Sequence, residues 1–261
     1  MKIIKVIFFI FVFLNLTTFT VSAKVIVLTN LESPTTYIED GEATGISYDI
    51  VNELLSHIES NTKIEIQPWA RAYKTALNNP NVIIFSAGQT KKRKSEGFHF
   101  LGPLVTRNHA VYKKKFSGVK VSNIDDIRRQ GLVVGGLRED WRTIYFEKEG
   151  ITVDKANSHM HSVKKMLAGR FPLLIGSDIE FPQWVEESGC PIDFFEVAFI
   201  FKEAPSFIAI SKGTDQYLIN KMERAFKKMQ RNNFFDFIAN KYSARLSYQL
   251  KYSPAKGIFR P

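Results

Sequence analysis

Short β-branched runs and helical stripes alternate along this chain, and the alternation begins again about halfway. Val25-Ile26-Val27-Leu28 reads as a buried strand. After a turn-rich stretch, Ile50, Leu54, Leu55 and Ile58 recur at helical spacing, and Lys63-Ile64-Glu65-Ile66-Gln67 alternates as a strand. Ala70 to Leu77 reads as a short helix, and Val82-Ile83-Ile84-Phe85 as another buried strand. Strand–helix–strand order of this kind implies parallel pairing with right-handed crossovers.

The second run starts with a strand at Ala110-Val111-Tyr112 and a short helix ending at Ile127, opened by a capping box of Ser122 and Asp125. Leu132-Val133-Val134 is a strand, Asp140 to Phe146 a helix, and Val163 to Ala168 a helix stopped by Gly169. Leu173-Leu174-Ile175 is a strand and Ile179 to Glu187 a helix; further strands are expected near Phe194 to Ala198 and Ser206 to Ile210. Asp215 caps a long helix with Leu218, Met222, Ala225, Phe226 and Met229 on one stripe, and Phe234, Phe235, Phe237 and Ile238 continue onto a last helix. These closing helices need a sheet to cover, and docking on the first unit is the economical solution. The expected organisation is a discontinuous lobe 1 (24–108 plus 205–261) and a continuous lobe 2 (109–204). The tail from Ser243, with Tyr248, Tyr252, Ile258 and Phe259 among basic residues, either wraps the surface or lacks order.

The start of the chain decides the expected compartment. Lys2 and Lys5 precede the apolar stretch Val6 to Leu16, and Val21-Ser22-Ala23 offers small residues for cleavage. Residues 1–23 therefore read as a secretory signal peptide and the mature chain as periplasmic. Removing Lys2 and Lys5 leaves 34 basic against 26 acidic residues, a net charge of +8. The basic residues are scattered apart from Lys91-Lys92-Arg93-Lys94 and Lys113-Lys114-Lys115, and no nucleic-acid motif accompanies them. Cys190 is alone and forms no internal disulfide. A monomer without a cofactor is expected.

The segment richest in chemistry is Ser86-Ala87-Gly88-Gln89-Thr90-Lys91-Lys92-Arg93. It follows a buried strand, where open α/β sheets bind ligands. Gly88 permits close backbone approach, Ser86 and Thr90 offer hydroxyls, and Arg93 can grip a carboxylate in a two-pronged pair. Pro68-Trp69-Ala70-Arg71 also follows a strand; Trp69 and Arg71 either face the same cleft or pack on lobe 1 and its surface. Tyr37 and Trp141 are further possible aromatic walls, and Arg71, Arg93 and Arg138 near one cleft point to an anionic or zwitterionic ligand. His159-Met160-His161 places two imidazoles in what reads as a surface loop, with no third metal ligand.

Pro34-Thr35-Thr36-Tyr37, Gly45-Ile46-Ser47-Tyr48-Asp49, Thr90-Lys91-Lys92-Arg93 and Phe100-Leu101-Gly102-Pro103 follow one another in an order and spacing that resembles the family 3 bacterial extracellular solute-binding proteins. The resemblance runs from about Lys24 to Tyr242 and implies an α/β, two-lobed type II periplasmic binding protein fold with mainly parallel sheets, flanking helices and a hinge of two crossovers. It also implies that Arg93 holds a ligand carboxylate, helped by Ser86, Gly88 and Thr90. The sequence departs from the family where Gly169-Arg170-Phe171-Pro172 has Pro in place of Asp, and where the lobe 2 loop reads Leu137-Arg138-Glu139-Asp140-Trp141. The acid expected to hold a ligand amine, Asp178, comes one position late, with Ser177 in its place; Asp178 is equally readable as a helix N-cap.

Three functions compete: delivery of a solute to an ABC permease, a ligand-binding module feeding a membrane sensor, and an enzyme on the same fold. The last requires a cleft acid with a raised pKa, for which Glu32, Glu139 and Asp178 are the only candidates.

Overall fold

A computed structural model describes residues 25–138, 140–246 and 248–261. The signal-peptide segment and Glu139 lie outside the described residues. Lobe 1 opens with β1 (Ile26–Thr29), the small hairpin β2 (Tyr37–Glu39) and β3 (Glu42–Thr44), α1 (Ile46–His57), β4 (Ile64–Ile66), α2 (Trp69–Asn78), β5 (Val82–Gly88) and α3 (Lys91–Ser95). The long strand β6 (His99–Lys114) crosses to lobe 2, which contains α4 (Ile124–Arg129), β7 (Val134–Leu137), α5 (Trp141–Lys148), β8 (Val153–Ala156), α6 (His159–Leu167), β9 (Leu173–Ser177) and α7 (Phe181–Glu187). A second long strand, β10 (Phe195–Ile210), returns to lobe 1. It is followed by α8 (Gln216–Arg231), α9 (Phe234–Leu246) and a hairpin of β11 (Lys251–Ser253) and β12 (Gly257–Phe259).

One continuous sheet runs β4-β1-β5-β10-β6-β9-β7-β8. Its two ends are parallel: β1 pairs with β4 and β5, and β7 with β8 and β9. Its middle is antiparallel, because β6 and β10 pair with each other over almost their whole length. Those two strands are the hinge crossovers. The sequence pattern divides each of them into shorter pieces, and Gly102-Pro103 falls inside β6 rather than ending it. Register shifts near Val197, Ile200 and Ser206 bend β10 as it passes between the lobes.

Each parallel end is covered on both faces, which is why its strands are apolar along their length. Val82, Ile83, Ile84 and Phe85 are all fully buried. On lobe 1, α1, α8 and α9 cover one face and α2 the other. On lobe 2, α6 and α7 share an apolar cluster with Phe171 and Phe195, and α4 and α5 contribute Ile127 and Phe146 to another. Asp215 caps α8 by accepting from the Tyr217 amide at 2.9 Å. The capping box of α4 is shifted by one residue from the sequence expectation: Asn123 accepts from Asp126 N, and the Asp126 carboxylate accepts from Ser122 N and Oγ. The His159-Met160-His161 stretch is the first turn of α6, capped by Ser158, not a loop.

The Gly-x-x-x-Asp motif has a structural use. Gly45 sits at φ +131°, and a Cβ there would fall 2.5 Å from Thr35 O. Its amide donates to the Tyr242 hydroxyl at 2.8 Å, which donates to Asp49 Oδ2 at 2.8 Å, with Lys241 Nζ 2.6 Å from the same oxygen. This ties α9 to the start of α1.

The tail is ordered and wraps the hinge. Ile258 of β12 pairs in parallel with Val105 of β6, and the Thr106 hydroxyl donates to Lys256 O at 2.6 Å. Tyr248 Oη donates to Ile179 O at 2.6 Å and Arg260 Nη1 to Asp178 O at 2.9 Å, both in the loop after β9. Tyr252 stacks on Phe235, while Leu250 and Ile258 are buried. Ile258→Ala is expected to lower unfolding free energy by about 2–5 kcal/mol, measured by urea denaturation; an effect near zero would mean that the strap does not contribute to the folded core.

Candidate functional site

The strands of both parallel ends finish facing the space between the lobes. Lobe 1 contributes the loop after β1, and lobe 2 the segments that follow β7, β8 and β9. Between them lies a hollow of about 510 Å³. Leu31, Glu32 and Ser33 supply the lobe 1 side, and residues such as Arg142, His159, Glu180 and Trp184 the lobe 2 side. Ser33 Oγ donates across it to Gln183 Oε1 at 2.9 Å.

From its lining a chain of charges runs into the interior. Arg107, only 5% exposed on β6, has Nε 2.9 Å from Glu180 Oε1, a close ion pair whose N–H does not point along the contact. Arg107 Nη2 donates to Thr35 Oγ1 at 3.1 Å and lies 3.4 Å from Glu32 Oε2. Arg142 Nη1 donates to the other Glu180 oxygen at 2.8 Å, while its Nε and Nη2 hold Asp140 at 2.9 and 2.7 Å. Asp140 also caps α5 by accepting from the Arg142 amide. Burial opposes the Glu180 charge, but Arg142 and Arg107 outweigh it and keep that carboxyl well below the usual range. Glu32 shifts the other way: burial of its carboxyl raises it, and Glu180 adds to the effect against the pull of Arg107.

One wall is aromatic. His159 stacks on Trp184 with centroids 3.6 Å apart and planes 1° apart, and the Arg142 guanidinium lies 5.5 Å from the Trp184 ring. Burial, then Arg142, lowers His159 to about 4. Beneath Trp141, burial and Arg142 lower His109 to about 3.

The residues singled out at the end of β5 do come together. Arg93 Nη1 donates to Gly88 O at 2.7 Å, and its guanidinium lies 5.1 Å from both the Trp69 and the Tyr73 ring centroids. Among the described residues it has no carboxylate partner. Thr90 Oγ1 accepts from the Arg93 amide and caps α3. Ser86 sits at φ +59° with a buried hydroxyl that finds no partner, strain and an open polar group at one position.

Other expected residues lie elsewhere. Arg71 is exposed on the first turn of α2. The Tyr37 hydroxyl meets Arg245 of α9. Arg138 is exposed and donates to Asn157 Oδ1. Asp178 neither caps α7, whose N-cap is Glu180, nor lines this hollow. It accepts from Asn108 N and Nδ2, both at 2.9 Å, and lines a separate hollow behind the hinge with Tyr112 and Arg260. Burial there pushes its carboxyl up to about 6 despite Asn108. Ser177 is fully buried and accepts from the Glu180 amide. Sequence reasoning missed Arg107, Arg142, Glu180, His159 and Trp184 as site residues. Arg107 stands among Thr106, Asn108 and His109, so its sequence neighbourhood does not mark it as a buried charge.

An α/β protein with two lobes, a two-strand hinge and a polar hollow between the lobes has the architecture of the two-lobed binding proteins. The family model of bacterial extracellular solute-binding proteins, family 3, matches residues 25–245, and the chain belongs to that family. No curated protein matches it. Among solved structures, a histidine kinase sensor domain with similarity to periplasmic binding proteins aligns at TM-score 0.70 and 13% identity, covering 91% of this chain and 98% of that one. An ancestral arginine-binding protein bound to arginine aligns at TM-score 0.64 and 18% identity, over 83% and 97% of the two chains. The GluR0 ligand-binding core from Nostoc punctiforme in complex with L-glutamate aligns at 0.66 and 15%, over 84% and 98%. Among the described residues no helix is long and apolar enough to cross a membrane.

Two outcomes follow from the charge chain. Glu180→Ala leaves two buried guanidinium groups short of a counter-charge and is expected to destabilise the fold by about 3–5 kcal/mol, read from denaturation midpoints. His159, neutral in the fold and held to about 4, binds its proton more readily when unfolded, so its contribution is present above about pH 6.5 and is lost as pH falls toward 4. Wild type should therefore lose stability relative to His159→Gln across that window, with a slope approaching about 1.4 kcal/mol per pH unit. Parallel curves for the two proteins would refute the assignment.

Proposed function

We propose that this protein is a periplasmic solute-binding protein that captures an amino acid or a similar small, carboxylate-bearing ligand between its lobes and presents it to an ABC permease. The observation that carries this reading is an arginine that, among the described residues, has no carboxylate partner at the end of β5, in a family 3 solute-binding fold whose inter-lobe hollow is lined by acids. On the lobe 1 side, Arg93 has open donors between two aromatic rings, beside the unpartnered Ser86 hydroxyl. At the lobe boundary, the hollow presents Glu32, Glu180 and Glu187 against one arginine, Arg142, which is already engaged by Asp140 and Glu180. A zwitterion satisfies both ends: its carboxylate meets Arg93, Ser86 and the Gly88–Thr90 turn, and its ammonium meets Glu32. A ligand that is anionic only would bring negative charge to three carboxylates. Arginine and L-glutamate in the solved relatives are consistent with this class. Asp178, Tyr37 and Arg138 are not assigned ligand contacts in this reading.

A second reading is a ligand-binding module feeding a membrane sensor. It is favoured by the histidine kinase sensor domain among the structural relatives, which covers 91% of this chain. The cleft chemistry is the same in both readings, and only the partner differs.

A thermal-shift screen of the mature chain against amino acids, dicarboxylates, polyamines and sugars tests the ligand class, because a ligand that binds only the folded state raises its melting point. A zwitterionic amino acid is expected to stabilise the protein. Arg93→Ala should abolish the shift, and Glu32→Gln should weaken binding of the same ligand by about tenfold, about the strength of one charge-assisted hydrogen bond. A sugar as the tightest ligand, or a shift unaffected by Arg93→Ala, would sink the assignment.

A further inference from the structure

Beside the cleft, lobe 2 carries another hollow, of about 460 Å³, whose charged lining among the described residues is all basic: Arg138, Lys155, His161, Lys164, Lys165 and Arg170. Three parts of the fold converge to build it. Arg138 and Lys155 come from the ends of adjacent parallel strands, β7 and β8, where the Arg138 amide donates to Ala156 O at 2.9 Å. His161, Lys164 and Lys165 fall three and four residues apart on α6, and so share one face of that helix. Arg170 follows the turn at Gly169 that ends α6.

Neighbouring acids answer only part of this charge. Lys155 Nζ lies 2.6 Å from Glu147 Oε1, and Lys165 pairs with Asp154. Among the described residues, Lys164 and Arg170 have no carboxylate partner, and both are exposed. Like charges held together in a concave surface repel one another and focus a positive potential into the hollow. A single carboxylate would answer little of that potential. A compact group with several anionic oxygens answers more, and the planar guanidinium forks of Arg138 and Arg170 suit its tetrahedral edges.

We propose that this hollow binds a phosphate group, presented by a soluble phosphate compound or by the head of an anionic lipid. The site is separate from the cleft of the proposed function: Asn157 borders both hollows, but none of the six basic residues lines the cleft.

The test uses two probes on the intact mature chain: inorganic pyrophosphate by isothermal titration, and cosedimentation with vesicles of equal parts phosphatidylcholine and phosphatidylglycerol, against phosphatidylcholine alone. The variant Lys164→Glu/Arg170→Glu reverses two exposed charges in the hollow. A control, Lys63→Glu/Lys74→Glu, makes the same change of net charge at two exposed positions of lobe 1 that line neither hollow. Binding of at least one probe is expected, weakened about tenfold or more by the hollow variant, little changed by the control, and reduced by added salt. Binding of pyrophosphate alone assigns a soluble ligand; binding of the anionic vesicles alone assigns a lipid head. If neither probe binds, or if both variants lose binding equally, so that only overall charge matters, the proposal is overturned. Unchanged melting temperatures establish that both variants are folded.

Discussion

Glu180 sits where a hinge strand and a lobe 2 helix meet and, through Arg107, reach lobe 1. Its carboxylate is 2% exposed and lies between Arg107, delivered by a hinge strand, and Arg142, delivered by a lobe 2 helix. Arg107 in turn reaches Thr35 and Glu32 of lobe 1. Taking these charges out of water costs several kcal/mol per ion, and only close geometry on both sides of the carboxylate repays it. The chain of contacts therefore contributes less to net stability than to definition. It fixes how the loop after β1, the hinge and the two lobe 2 loops stand relative to one another, and the cleft inherits its shape from that arrangement.

The hinge is more than two crossing strands. Ile179, from the loop after β9, is fully buried among apolar residues of lobe 1, and Tyr248 and Arg260 hold the carbonyls of that same loop. The tail thus bonds to the hinge strand at Val105 and Thr106 and to lobe 2 at Asp178 and Ile179. Any opening that carries the β9 loop away from α9 must break the Tyr248 and Arg260 bonds. The family match ends at residue 245, so the residues that tie the hinge in this way lie beyond the shared family region.

How far the sequence could be read depended on how local each feature is. The fully apolar β5 and the striped, Asp215-capped α8 announce themselves within a few residues, and both are where the pattern puts them. The two long hinge strands do not, because their middle portions are held by each other across nearly a hundred residues, not by local periodicity. The cluster at the end of β5 was legible since Ser86, Gly88, Thr90 and Arg93 are neighbours in the chain. The charge chain was not: residues 32, 107, 140, 142 and 180 are brought together only by the fold. Asp178 shows the converse case. An acid at the end of a strand resembles a ligand contact, yet a shift of one residue turned it to Asn108 and the back of the hinge.

The chain's basic balance is a poor guide to its cleft. A net charge of +10 suggests a site for anions, but the inter-lobe hollow is lined by three carboxylates and by an arginine that two acids already hold. The unspent positive charge lies on the outside, on α6 and α8, and at Arg93 on the lobe 1 wall. This separation matters physically. A surface charge acts through water and salt and governs encounter, whereas a charge in a narrow cleft acts through a low dielectric and governs which ligand stays. In the proposed reading, selectivity for the cleft ligand therefore rests on the few groups around Glu32 and Arg93, while the basic groups outside the cleft govern encounter and the separate lobe 2 hollow.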